Sequence, residues 1–375
     1  MTQELIYTSA PQGLKPGSRG FCTVASTSGM PQPLAAALES LSAYRHLFPP
    51  GTPEAARNPV AFSHVKLNLM GKRFHVLSRV ADYGLDYSGR TNKLAHHVVL
   101  EPSELVDAGP AWLLAQPGFL ETEWQGDPRI LPAGRRPPQG ALHPTVCRHW
   151  ERLTGDAGWA GVVAESFLEQ PERPVFLLFE PGMELLPLLV EVTALLPPER
   201  RWDVTFTTYF CQLPQAVECR WRCLVAGSRE AHHSRRFVHA LRLDLTRPLG
   251  PAQGGPLVEA ARTGRLPEPA RAESDAALKE EPEPQEATED LLKELLEPEP
   301  PPVPAASPTP RPSPAPVPPR VPPPTLPRRK GAESRPHRPL WARVVRWTLT
   351  VGLLLAAVSL VAYGLVLVRR AVQQR

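Results

Sequence analysis

Most of the residue patterns from which a reaction is usually read are missing from this chain. Five cysteines in 375 residues are sparse and odd in number, which excludes a disulfide framework and suits a reducing compartment. Cys219 and Cys223 sit two strand repeats apart, so Cys219, Trp221 and Cys223 share one face and Arg220 and Arg222 the other. No second cysteine pair completes a zinc site, Cys147-Arg-His149 is isolated, and no metal is expected. The Gly/Pro loop Ser9 to Gly20 lacks the G-x-x-x-x-G-K-[ST] pattern, so no phosphate cradle and no nucleotide cofactor are readable. There is no G-x-S-x-G elbow, no H-E-x-x-H and no kinase set. These absences argue against an enzyme without deciding the matter. The start, MTQELIYTSAP, has neither a basic nor an apolar region of the kind a secretory signal needs.

What the chain does have lies first at its far end. Trp347 to Val368 runs for 22 residues without a charge, between Arg343 and Arg346 on one side and Arg369 and Arg370 on the other. As a helix it is roughly 33 Å long, enough for a hydrocarbon layer of about 30 Å. Seven Lys and Arg precede the span within residues 328–346 and three follow it. That asymmetry places the large N-terminal part in the cytoplasm, as a single-pass, tail-anchored protein of the inner membrane.

Proline divides the rest. Of 48 prolines, 22 fall in residues 267–340, and so proline-rich a segment buries too little apolar surface to order itself. A disordered linker is expected over residues 263–340. Residues 268–300 carry twelve acids, and residues 311–346 carry nine basic residues against Glu333 alone. Sixteen of the thirty residues from Pro298 to Pro327 are proline, which favours an extended polyproline spacer. The basic run enforces topology and suits anionic headgroups. With no interleaved aromatic platform, nucleic acid is not an expected partner. Within the linker, Leu291, Leu292, Leu295 and Leu296 share one helical face between Thr288 and Pro298. Two readings stand side by side there: a helix that folds on a protein partner, and a transient helix without one.

Residues 1–262 read as α+β, in two adjoining subdomains, 1–140 and 141–262, meeting at the Gly/Pro stretch Pro132 to Pro144. Strands are expected at Leu5–Thr8, Gly20–Ala25, Val60–Leu67, Phe74–Val80 and Asn92–Leu100, with a turn at Asn68–Arg73. Helices are expected at Pro33–Tyr44, from Pro102, at Ala157–Leu168, and at Glu184–Leu196 with Pro187 in its first turn. Pro174–Phe179 reads as a strand. Val204–Phe210 and Val217–Val225 read as a hairpin across Gln212 to Gln215. His96 and His97 point to opposite faces of their strand, one into the core and one outward, and His232 and His233 belong to a surface loop. Asp86, Arg90, Thr91 and Asn92 sit in a polar loop with Gly84 and Gly89. The preferred reading is a satisfied network capping two strands. The sharper one is a ligand or partner contact through Arg90, Thr91, Asn92 and His97, with Thr8 beside them.

Several segments resemble a known family. IYTSAPQGLKPGSRGFCTVASTSGMP (Ile6 to Pro31), LSAYRHLFPPG (Leu41 to Gly51), HVLSRVADYGLDYSGRTNKLAHHVVL (His75 to Leu100) and PAWLLAQPGF (Pro110 to Phe119) are similar to the type-two N-terminal domain of bacterial GTPase-associated proteins. PVFLLFEPGMELLPLLVEVTALLPPERRWDVTFTTYF (Pro174 to Phe210) resembles their middle domain. The resemblance covers roughly residues 3–245. It implies a part in a multi-component, GTPase-centred system linked to bacterial conflict or defence, and it brings no catalytic residues with it. Longer members continue with further domains where this chain has its Pro-rich stretch. The expected function is a membrane-tethered cytoplasmic interaction module, with a GTPase complex as the expected protein partner. The alternatives are a ligand-binding or hydrolytic enzyme working near Arg90–His97, and a structural stalk of the cell envelope. No oligomeric state is implied.

Overall fold

A computed structural model describes residues 1–214 and 217–267. The expected linker beyond residue 267, the Leu291–Leu296 face and the Trp347–Val368 span lie outside the described residues. Among those described, no helix is long and apolar enough to cross a membrane.

The chain is α+β. Its strands are β1 (Gln3–Ala10), β2 (Gly20–Thr27), β3 (Ala61–Leu69), β4 (Lys72–Leu85), β5 (Thr91–Leu100), β6 (Arg129–Leu131), β7 (Val175–Phe179), β8 (Phe206–Thr207), β9 (Trp221–Val225) and β10 (Leu241–Asp244). Its helices are α1 (Gln32–Leu41), α2 (Gly109–Leu114), α3 (Arg148–Thr154), α4 (Gly158–Glu169), α5 (Leu186–Ala194), α6 (Pro198–Arg201), α7 (Arg229–Ser234) and α8 (Pro256–Thr263). One sheet takes all ten strands in the order β10-β7-β9-β8-β3-β4-β5-β1-β2-β6. From β3 to β2 it is antiparallel. From β10 to β8 it is parallel. The two regimes join where Ser63 and His64 pair antiparallel with Thr207 and Phe206.

Local rules explain the first half well. β3 and β4 are closed by Met70 and Gly71, at φ 53° and 73°. Two left-handed residues between paired Leu69 and Lys72 make the tight turn whose twist suits a hairpin. In α1 the 3.6-residue repeat brings Leu34, Leu38 and Leu41 to one buried face. That face packs on Leu5, Val65, Val76 and Val99, and each side chain removed from water stabilises by about 1.5–3 kcal/mol. On the opposite side a larger core runs through both halves of the sheet and includes Leu77, Val98, Leu188, Val204 and Phe206.

The parallel half departs from the expected hairpin. β8 and β9 pair parallel, Phe206 with Trp221 and Thr207 with Arg222. Thirteen residues separate the two strands, and parallel neighbours need a crossover of about that length. The Val204–Phe210 run yields only a two-residue strand, because Thr208 leaves the ladder to bond β3. Its hydroxyl donates to Val60 O at 2.9 Å and accepts the Phe62 N–H at 2.8 Å. The helix expected from Pro102 stops after one 3-10 turn, Pro102–Glu104, closed by reciprocal bonds between Glu101 and Glu104. The next helix begins only at Gly109, whose φ is +83°.

A buried histidine pair reinforces the joint. Val204 O can only accept, so His64 Nδ1 donates to it at 2.6 Å. His64 Nε2 then accepts from His75 Nδ1 at 3.0 Å. Trp202 meets both rings edge-on at 5.3 Å. Burial drives both imidazoles toward the neutral form, His64 well below the ordinary value and His75 to about 4.

Candidate functional site

The polar loop singled out in the sequence closes on itself. Asp86 accepts from the Ser88 hydroxyl at 2.7 Å and from the Arg90 backbone at 3.0 Å. Ser9 donates to its other oxygen at 2.7 Å. Those donors, Ser88 foremost, hold the Asp86 carboxyl well below the usual range. The exposed Arg90 guanidinium turns back to Ser88 and Asp86 at 2.8 and 3.2 Å. Asn92 is buried, and its Oδ1 takes the Thr8 hydroxyl, the Ser9 N–H and the Lys93 N–H. Thr91 is exposed and pairs with Leu85. Thr8, Arg90 and Asn92 therefore belong to one network that fastens β1 to the β4–β5 turn. His97 is not part of it.

The expectation that one of the adjacent histidines faces outward is overturned: His96 and His97 are both 0% exposed. The sheet is covered on both faces at this point. His97 lies between Ser78 and Ser42, 2.7 and 2.8 Å away, and burial pushes its pKa down to about 3. On the other face the Glu121 N–H donates to His96 Nδ1 at 2.8 Å. That fixes the neutral tautomer with its proton on Nε2, which meets Glu4 Oε2 at 3.0 Å. The flanking residues carried this signal: Leu94 and Val98 are apolar on the face of His96, and Ala95 and Val99 on the face of His97.

Glu4 also takes Arg135, Nε to Oε2 at 2.6 Å. Burial opposes its charge, but the His96 and Arg135 bonds hold its carboxyl below the ordinary value. Arg135 in turn donates to Gly118 O, Phe119 O and Glu121 Oε1 at 3.1, 2.7 and 2.7 Å. The loop from Gln116 to Thr122 is thus tied down at several points by a cluster that begins on β1.

That loop forms one wall of a cavity of about 540 Å³, within the range of small-molecule sites. The opposite wall is the turn from Gly182 to Glu184 and the first turn of α5. Arg79 of β4 and Thr208 also line it, with Phe62 and Phe179. Asn58, buried at the back, uses its whole amide. Its oxygen accepts the Leu47 and Phe48 N–H groups, and its nitrogen donates to Phe48 O and Asp82 Oδ2. This anchors Arg57, whose Nε spans the rim to Pro181 O at 3.2 Å. None of Arg90, Thr91, Asn92 or His97 lines the cavity. The residues that do were not selected from the sequence, and the only available signal was Arg79, a lone cation within the apolar run FHVLSRVA.

Neither cysteine of the Cys219/Cys223 pair is poised for a metal. Burial raises both thiols, Cys219 to about 12. Among the described residues, no three His, Cys, Asp or Glu side chains gather into a metal site. His232 and His233 are exposed as expected, but on α7 rather than in a loop.

Residues 1–137 match the family model described as GTPase-associated protein 1, N-terminal domain type 2, and residues 147–247 match GTPase-associated protein 1, middle domain. No curated protein and no solved structure matches the chain. The cavity draws Arg57 and Arg79 from the first matched region and Met183 and Leu186 from the second.

Proposed function

The chain belongs to the GTPase-associated protein family, its type-2 N-terminal domain followed by the middle domain, and on that premise we propose that it is an interaction module tethering a GTPase-centred assembly to the inner face of the bacterial membrane. The observation that carries this reading is the order of parts: the two matched domains stand ahead of the 22-residue uncharged run from Trp347 to Val368. The strand pairing of β3 with β8 supports a head in which both domains act as one body. The proline-rich stretch between head and span gives that head reach, and the excess of Lys and Arg on its side of the span keeps it cytoplasmic. A place in a conflict or defence system is part of the same proposal.

Crosslinking in native membranes, followed by identification of the bound chains, tests it. The full-length protein is expected in the membrane fraction with a GTPase among its partners, lost when residues 1–247 are deleted. Recovery of the full chain only in the soluble fraction, or partners unchanged by that deletion, would overturn the reading.

A further inference from the structure

The cavity between β4, the 116–122 loop and α5 has a charge problem that the chain does not solve. Arg79 lines it, half-buried, and its one hydrogen bond is a long one, 3.4 Å to Glu121 O. No carboxylate among the described residues pairs with it, and burial pushes its guanidinium below the ordinary arginine value. A partly buried cation without a counter-charge is costly to the fold. An anion entering the cavity would supply that counter-charge. Arg57, exposed on the rim, bonds Pro181 O and lies over the Phe48 ring, with no carboxylate paired to it among the described residues. The single acid in the lining, Glu184, is exposed.

The remaining walls set the shape of the occupant. Phe62, Leu120, Phe179 and Leu186 give the lining an apolar portion. α5 opens on the cavity with Leu185 at its N-cap and no side chain accepting its first N–H groups. The positive end of a helix adds to the preference for negative charge there. Two cations of one sign, an apolar floor and room for a metabolite-sized body describe a single ligand class.

We propose that this cavity binds a small organic anion, with a phosphate or carboxylate group against Arg79 and an apolar or aromatic body along Phe62, Phe179 and Leu186. The occupant touches the N-terminal domain through Arg57 and Arg79 and the middle domain through α5. It is therefore placed to report on how the two halves of the head are held together.

The test uses full-length protein in nanodiscs and ligand-observed saturation-transfer NMR with four probes: phenyl phosphate, phenylacetate, benzyl alcohol and benzamidine. Phenyl phosphate or phenylacetate is expected to bind at least about tenfold more tightly than benzyl alcohol or benzamidine, and the ratio of the two anions tells a phosphate site from a carboxylate site. Arg79→Met, which keeps the apolar stem, is expected to abolish that preference, and Arg79→Lys to retain part of it. Signal from lipid partition is the same in every variant and is subtracted on that basis. Should Arg79→Met fail to fold, Ala115→Trp carries the test. Ala115 is exposed at the mouth, so the indole blocks entry without disturbing the core, and anion binding is expected to fall about tenfold. Absence of anion binding to the wild type at millimolar concentration, or binding that neither substitution weakens, overturns the proposal.

Discussion

Glu121 gives its backbone N–H to Nδ1 of His96 over 2.8 Å, and through that bond a strand in the middle of the sheet positions a wall of the cavity. The carbonyl of the same residue accepts from Arg79. One peptide segment thus connects the buried Glu4–His96–Arg135 cluster to the cation in the cavity. The cluster's role is positional: it lies outside the cavity and sets the loop that forms its wall.

Replacing Glu4 with Gln is expected to destabilise the protein by about 3 kcal/mol, because it leaves Arg135 facing a group that cannot balance its charge. Denaturant midpoints measure this. The Arg135→Met variant should lose a similar amount, and the double variant far less than the sum, since both removals break the same pair. Additive losses would mean that the two side chains do not act together.

Stability should fall on mild acidification, and the sign follows from the histidines. His75 and His97 have folded values lowered to about 4 and about 3 from an ordinary 6.5. Between pH 6.5 and those values the unfolded chain takes up protons that the folded one refuses. The stabilisation is therefore complete above pH 6.5 and is lost progressively below it, by roughly 3 kcal/mol for His75 alone once pH reaches its folded value. Thermal melts at pH 7.5 and pH 5 should show a lower midpoint at pH 5. An unchanged or higher midpoint would contradict the neutral, buried state of these rings.

The turn between β3 and β4 has room for improvement. Met70 is exposed and held at φ 53°, a conformation that Asn adopts with less strain and that Asn-Gly favours in such turns. Met70→Asn is expected to stabilise by about 1 kcal/mol, read as a raised denaturant midpoint at constant slope. A destabilised variant would show that the methionine side chain holds something beyond the turn.

What the sequence disclosed followed the range of its signals. β1 to β5 and α1 were legible because alternation and the 3.6-residue repeat are local, although the turn read as Asn68–Arg73 narrows to Met70 and Gly71. Pro187 was correctly placed in the first turn of its helix for the same reason. The β8–β9 pairing was misjudged because two apolar runs close in sequence look like a hairpin, whereas Thr208 commits the first run to β3. The cavity was not legible at all. It is assembled from residues near 58, 79, 118, 183 and 208, and no spacing rule links those positions. Arg90, Thr91 and Asn92 attracted notice because loops dense in polar groups look like sites. In the structure Arg90 and Asn92 belong to the network around Asp86 and Ser9, and Thr91 is exposed beside it. The family likeness read from residues 6–119 and 174–210 agrees with the two matched domains.

The seam at β3 has one more effect. Thr208 occupies Val60 O, Phe62 N and Phe62 O, β8 takes Ser63 and His64, and Glu218 bridges to Lys66. Without the middle domain those groups would stand bare along a nine-residue strand, open to pairing with a neighbouring molecule. The second domain thus caps what would otherwise be an open edge of the first.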